Sequence, residues 1–197
     1  MNTLSRRIRR LTFATLSVAA LSAAGIAVSG PASAASAESC FGETATIVGT
    51  TGHDQIRGTE GDDVIVGLAG NDEIDGNGGN DLICGGSGND ELDGGYGEDS
   101  VSGGSGYDEI GGGRGADLLK GGADRDEIDG DSGGDRIVGG TGDDELAGAR
   151  GRDTIRGGSG ADLIEGGLGA DVLSGGAGAD RVYQSSEPDY DDDRYDD

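Results

Sequence analysis

The sequence predicts an all-β fold, a parallel β-roll (β-solenoid) in which two short-stranded parallel sheets are wound from about 15 nonapeptide repeats, two repeats per turn. Three observations predict it. Aspartate recurs every nine residues without a break from Asp54 to Asp180, an aliphatic residue follows two places after each aspartate, and a period of eighteen is superimposed on the period of nine.

The aspartates are Asp54, Asp63, Asp72, Asp81, Asp90, Asp99, Asp108, Asp117, Asp126, Asp135, Asp144, Asp153, Asp162, Asp171 and Asp180. A glycine stands five residues before each, from Gly49 to Gly175, and another two residues before each, with Asp124 as the sole substitution. The aliphatic set runs from Ile56, Ile65 and Ile74 to Leu173 and Val182. The unit is G-G-x-G-x-D-x-U-x, with U aliphatic, and it extends from Gly49 to Tyr183. Its last three residues alternate outward, inward and outward, which predicts a three-residue strand burying one aliphatic side chain. Its first six residues predict a turn, in which glycine permits positive φ and close approach of backbone carbonyls.

The longer period sets the arrangement of the units. Glutamate follows the aspartate at Glu73, Glu91, Glu109, Glu127 and Glu145, whereas the intervening repeats carry Val64, Leu82, Ser100, Leu118 and Arg136 there. Alternate repeats therefore stack into separate sheets with the aliphatic residues between them. The glutamates form a ladder on one sheet face, read as a solvated surface or as a weak cation- or mineral-binding face.

Composition agrees with a fold of this kind. The chain has 44 glycines, 2 prolines and no tryptophan, so large apolar groups are too few for a conventional core. Acidic residues outnumber basic ones 39 to 14, a net charge of −25 that opposes compaction unless cations neutralise it. Such a surface excludes nucleic acid as a partner, because a phosphate backbone requires a basic one. Carbonyl oxygens converging beside a carboxylate make a hard-cation site, and calcium takes six to eight oxygens in flexible geometry. All fifteen aspartates are thus candidate ligands. Eight fall along one edge of the coil and seven along the other, so ions between successive turns number at most 7 + 6 = 13. A chain disordered without calcium and folded with it is the expected behaviour.

On these residues the chain resembles the haemolysin-type, or repeats-in-toxin (RTX), calcium-binding family. The resemblance implies that calcium lies between adjacent turns, with Asp54 through Asp180 as ligands. Turn residues such as Gly85, Gly86, Ser87 and Gly88 would contribute through their backbone. The chain departs from the pattern where Thr50, Thr59, Leu68, Asn77, Asp131 and Ala149 replace the second glycine. Positive φ there would strain Leu68, and the early sites are expected to be weaker. Asp124 is read as a strained residue or an extra ligand.

Residues 1–34 have the order of a signal peptide, with four arginines before residue 11, an apolar stretch to about Gly30 and small residues at Ala32-Ser33-Ala34. Cleavage is expected there or after Ala37, leaving no stable membrane insertion. Ser5-Arg6-Arg7 also suits twin-arginine export, although Arg9 stands where such signals place an apolar residue, and the route stays open. A secreted, extracellular bacterial protein is the expectation. Residues 38–48 read as an N-terminal cap, with Ala45 in the aspartate slot and Ile47 in the aliphatic slot of a degenerate repeat. Residues 184–197 read as an acidic disordered tail. Cys40 and Cys84 are either paired or free, which spacing alone does not decide.

No catalytic residue is predicted. His53 is the only histidine, so no two-histidine zinc motif exists, and Lys120 is the only lysine and lies in no phosphate loop. In the family that the chain resembles, the repeats often accompany a protease, lipase or pore-forming domain. About eleven residues between signal and first repeat leave no room for one. The leading expectation is a calcium-binding structural module; the alternative is adhesion to a cell-surface or protein partner docked around Val64, Val66, Leu82 and Cys84. A cytolysin-related or enzyme-associated role ranks below both.

Overall fold

The computed structural model describes residues 38–184. The predicted signal peptide, and all of the acidic tail except Gln184, lie outside the described residues.

Two parallel sheets face each other across one line of aliphatic side chains. The first has eight strands and runs from Ile47–Val48 through Val64–Ala69, Leu82–Ser87 and Ser100–Ser105 to Val172–Ala177. The second takes the alternate repeats, from Gln55–Arg57 through Glu73–Asp75 and Glu91–Tyr96 to Arg181–Tyr183. Neighbouring strands pair in register eighteen residues apart, as Ile65 with Ile83, Ile83 with Val101 and Ile110 with Ile128. Two repeats therefore make one coil, as the superimposed period requires.

Many strands exceed the predicted three residues. Leu82–Ser87 and Ser100–Ser105 each take in both glycines and the residue after them, and Gly86 pairs with Gly104. Without side chains at these places, the backbones of successive coils approach closely enough to extend the ladder. The turn between Leu82–Ser87 and Glu91–Tyr96 shrinks to Gly88, Asn89 and Asp90.

The core is one side chain wide. From Ile65 to Ile164, every aliphatic residue at the eighth place of its repeat is at most 2% exposed, and Ile47, Ile56 and Leu173 pack against the ends of the stack. Each such burial contributes roughly 1.5 to 3 kcal/mol. Val182, on the last strand of the described residues, is 44% exposed.

Residues 38–48, expected to cap the coil, contain an element that the repeat pattern does not foretell. Ser39–Cys40 and Glu43–Thr44 form an antiparallel hairpin, turned at Phe41 and Gly42. It packs on the outer face of the first sheet against Val64–Ala69 and Leu82–Ser87, and Cys40 is disulfide-bonded to Cys84. The apolar patch that the sequence offers to a partner is thus the seat of the chain's own hairpin, with Val66 only 6% exposed. A cross-link spanning 44 residues stabilises the fold by roughly 4 kcal/mol. Ile47–Val48 pairs with Ile65 and Val66, so the degenerate repeat forms the first rung of its sheet.

The glutamate ladder occupies the outer face of the second sheet, with Glu73, Glu91, Glu109, Glu127 and Glu145 side by side. Partners from the chain itself relieve part of the repulsion. Gln55 Nε2 donates to Glu73 at 2.8 Å, the Tyr107 hydroxyl donates to Glu127 at 2.8 Å, and Arg125 lies 3.3 Å from Glu145.

Candidate metal centre

The repeat centred on Asp117 shows how the local sequence builds each turn. Gly113 has φ 93° and Gly115 φ 146°, a region that residues with a side chain enter at a cost. Gly112 faces inward, and a Cβ there would lie 2.7 Å from Asp117 Oδ2 and 3.0 Å from the Gly130 carbonyl oxygen of the next coil. The missing side chain leaves a space bounded by carboxylate and carbonyl oxygens.

Backbone hydrogen bonds fix the carboxylate itself. The Asp99 N–H donates to Asp117 Oδ1 at 2.8 Å, and the Asp117 N–H donates to Asp135 Oδ1 at 2.9 Å. The same bond recurs from Asp54 with Asp72 to Asp162 with Asp180, so the repeat aspartates stand in two files along the edges of the coil. Asp54 through Asp180 thus all stand in these two files.

Their second oxygens differ along the stack. In eleven consecutive repeats, Asp72 to Asp162, Oδ2 is buried and meets no hydrogen-bond donor. Leaving a buried acceptor unsatisfied costs about 1 to 3 kcal/mol, and more when it is charged. Burial, reinforced by the neighbouring aspartates and partly opposed by the backbone N–H, pushes Asp108, Asp117 and Asp126 up to about 7. The same causes raise Asp81, Asp135 and Asp144 to about 6.

Toward the ends the protein supplies donors to Asp54, Asp63 and Asp171. Thr50 gives Asp54 Oδ2 its N–H at 2.7 Å and its hydroxyl at 2.9 Å, and Thr59 does the same for Asp63 at 2.7 and 2.9 Å. Gln184 Nε2 donates to Asp171 Oδ2 at 2.6 Å. Gln184 stands nine residues after Gly175, at the first place of a repeat that is not continued, and its side chain folds back over the last turn but one. Sequence reasoning placed Gln184 in the tail; its coincidence with the repeat phase was the signal available.

Two departures from the repeat have a backbone consequence. Leu68 has φ 84° and Asp124 φ 76°. Asp124 is thus in the left-handed region, where a residue with a Cβ loses roughly 1 to 2 kcal/mol. Asp124→Gly is expected to raise stability by about 1 kcal/mol in thermal unfolding at saturating calcium. An unchanged or lower melting temperature would show that no strain is relieved there.

The arrangement suits a hard cation. Among the described residues no three or more His, Cys, Asp or Glu side chains converge, so an ion at these turns would draw most of its ligands from backbone carbonyls. Oxygen-only sites of this kind suit calcium rather than the softer transition metals. The eleven open carboxylate oxygens meet the same requirement, each being a buried acceptor that no donor of the chain fills. His53 stands apart from this chemistry, its Nδ1 donating to the Asn71 carbonyl.

Comparison with known proteins agrees with the geometry. A family model described as RTX calcium-binding nonapeptide repeat (4 copies) matches residues 48–83, 75–110, 111–146, 129–163 and 147–182. No curated protein matches the chain.

Proposed function

Because this chain belongs to the RTX calcium-binding nonapeptide repeat family, we propose that it is an exported protein that folds as calcium enters between its coils and serves outside the cell as a structural and binding module without catalysis. The observation that carries this reading is the run of buried, donor-free Oδ2 atoms from Asp72 to Asp162. These aspartates would hold the ions together with carbonyls of the glycine turns, and the bound cation would supply the positive charge that the files lack. Modest affinity suffices where calcium is abundant, as it is outside cells. Residues 1–34 would direct export and 49–183 would form the binding unit. Titration calorimetry of the metal-free chain tests the reading: a stoichiometry of several ions with a large heat of folding is expected. Uptake of no calcium at millimolar concentration would end it.

The carboxyls also predict a pH dependence. Burial raises the proton affinity of Asp108, Asp117 and Asp126 in the folded coil, so between the ordinary aspartate value and about 7 the folded chain binds more protons than the unfolded one. Stability from those protons is fully present below the ordinary value and is lost as pH rises through about 7. Protons can therefore stand in for calcium on these oxygens, and in metal-free buffer the β-sheet circular dichroism is expected to grow on acidification from roughly pH 7.5 to 5.5, the span of the raised carboxyls. An equal signal at both pH values in excess chelator would contradict it.

A further inference from the structure

We propose that Thr50 and Thr59 withhold the first two repeats from calcium, by donating into the carboxylate oxygen that each inner repeat leaves open. The inference rests on the calcium reading above and adds which repeats take part in it.

The two kinds of repeat share a frame. At Gly49 a Cβ would lie 2.9 Å from Asp54 Oδ2 and 2.8 Å from the Gly67 carbonyl oxygen, close to the 2.7 and 3.0 Å found at Gly112 for Asp117 Oδ2 and the Gly130 carbonyl. The difference lies in the next residue. From the third repeat onward the second place is held at positive φ, by glycine or by Leu68, Asn77, Asp131 and Ala149. Thr50 and Thr59 occupy the same place without positive φ, and there the N–H reaches Oδ2.

The residue type accounts for the conformation. Threonine carries two heavy atoms on Cβ, and for a β-branched residue positive φ is a strained state, whereas the four inner exceptions are unbranched at Cβ. Thr59 Oγ1 accepts the Gly61 N–H at 3.2 Å, and Thr50 Oγ1 accepts the Gly52 N–H at 3.2 Å, which orients each hydroxyl toward its aspartate. The Thr46 hydroxyl also lies beside Asp63, 3.4 Å from Oδ1 and 3.2 Å from the Val64 carbonyl oxygen. Below the first coil the described residues supply the half-turn of Ile47–Val48, and these donors occupy Oδ2 of Asp54 and of Asp63 with groups of the chain. Thr50 and Thr59 therefore determine where the array of metal sites begins.

Native mass spectrometry of the calcium-loaded chain tests this by counting ions. The double variant Thr50→Gly/Thr59→Gly is expected to bind up to two ions more than the parent chain. Leu68→Thr, which places threonine before Asp72, is expected to bind one ion fewer. Equal counts in folded variants would overturn the proposal, and if the glycine variant does not fold, an unchanged count in Leu68→Thr overturns it alone. A parent chain that binds no calcium would instead remove the calcium reading on which the proposal rests.

Discussion

Chelation of calcium from the folded protein is expected to abolish its β-sheet circular dichroism and to expose the chain to proteolysis along its whole repeat region. Successive coils lie about 4.8 Å apart, so each edge presents a file of carboxylates at that spacing. Eleven of these carboxylates have one oxygen buried without a donor, and the chain as a whole carries a net charge of −25. Against this the protein sets a core one side chain wide, with a single aliphatic per repeat. Glycine-rich turns lose more conformational entropy on ordering than other backbone does. With the cations removed, repulsion and entropy act together on a narrow core, and the coil opens. A spectrum unchanged in excess chelator would show that burial and hydrogen bonding suffice, and would refute the coupling of folding to calcium.

Gly115→Val is expected to break the solenoid in its middle. Gly115 has φ 146°, and a Cβ built on it falls on the carbonyl group of Gly97 in the preceding coil and 3.2 Å from Asp117 Oδ1. Its N–H also donates to the Ser132 carbonyl at 3.0 Å, so the backbone cannot turn away without losing a ladder bond. Forcing a side chain into the left-handed region and overpacking the inter-coil space together cost roughly 2 to 5 kcal/mol. In a stack whose coils contact only their neighbours, such a loss uncouples the blocks on either side. A calcium titration followed by circular dichroism should then show two transitions with a higher midpoint, while Arg114→Ala, an exposed neighbour, should retain one. A single transition at the parent midpoint in Gly115→Val would contradict this account of the turn.

Much of this architecture is legible in the repeat itself. The eighteen-residue offset seen in the pairing of Ile65 with Ile83 is the offset of the glutamate ladder, and the buried line from Ile65 to Ile164 is the aliphatic set of the repeat. The repeat predicts strain at Leu68 if its place requires positive φ, and Leu68 has φ 84°. Strand length was less legible. Glycine is ordinarily a weak strand former, yet Gly86 and Gly104 pair because the neighbouring backbone needs the space a side chain would fill.

Periodicity determined the coil, its core and the two files of aspartates, because a pattern repeated in phase imposes the same local geometry on every unit and stacks equivalent residues. The ends and the links across coils were decided only in three dimensions. Spacing could not say that Cys40 reaches Cys84, that the hairpin covers Val66, or that Gln184 folds back to Asp171. Nor could it say that Thr50 and Thr59 turn their N–H groups onto carboxylates which the other repeats leave open. Each of these depends on where the translational symmetry stops, and a terminal coil, lacking a neighbour on one side, must satisfy its polar groups with whatever the adjoining chain provides.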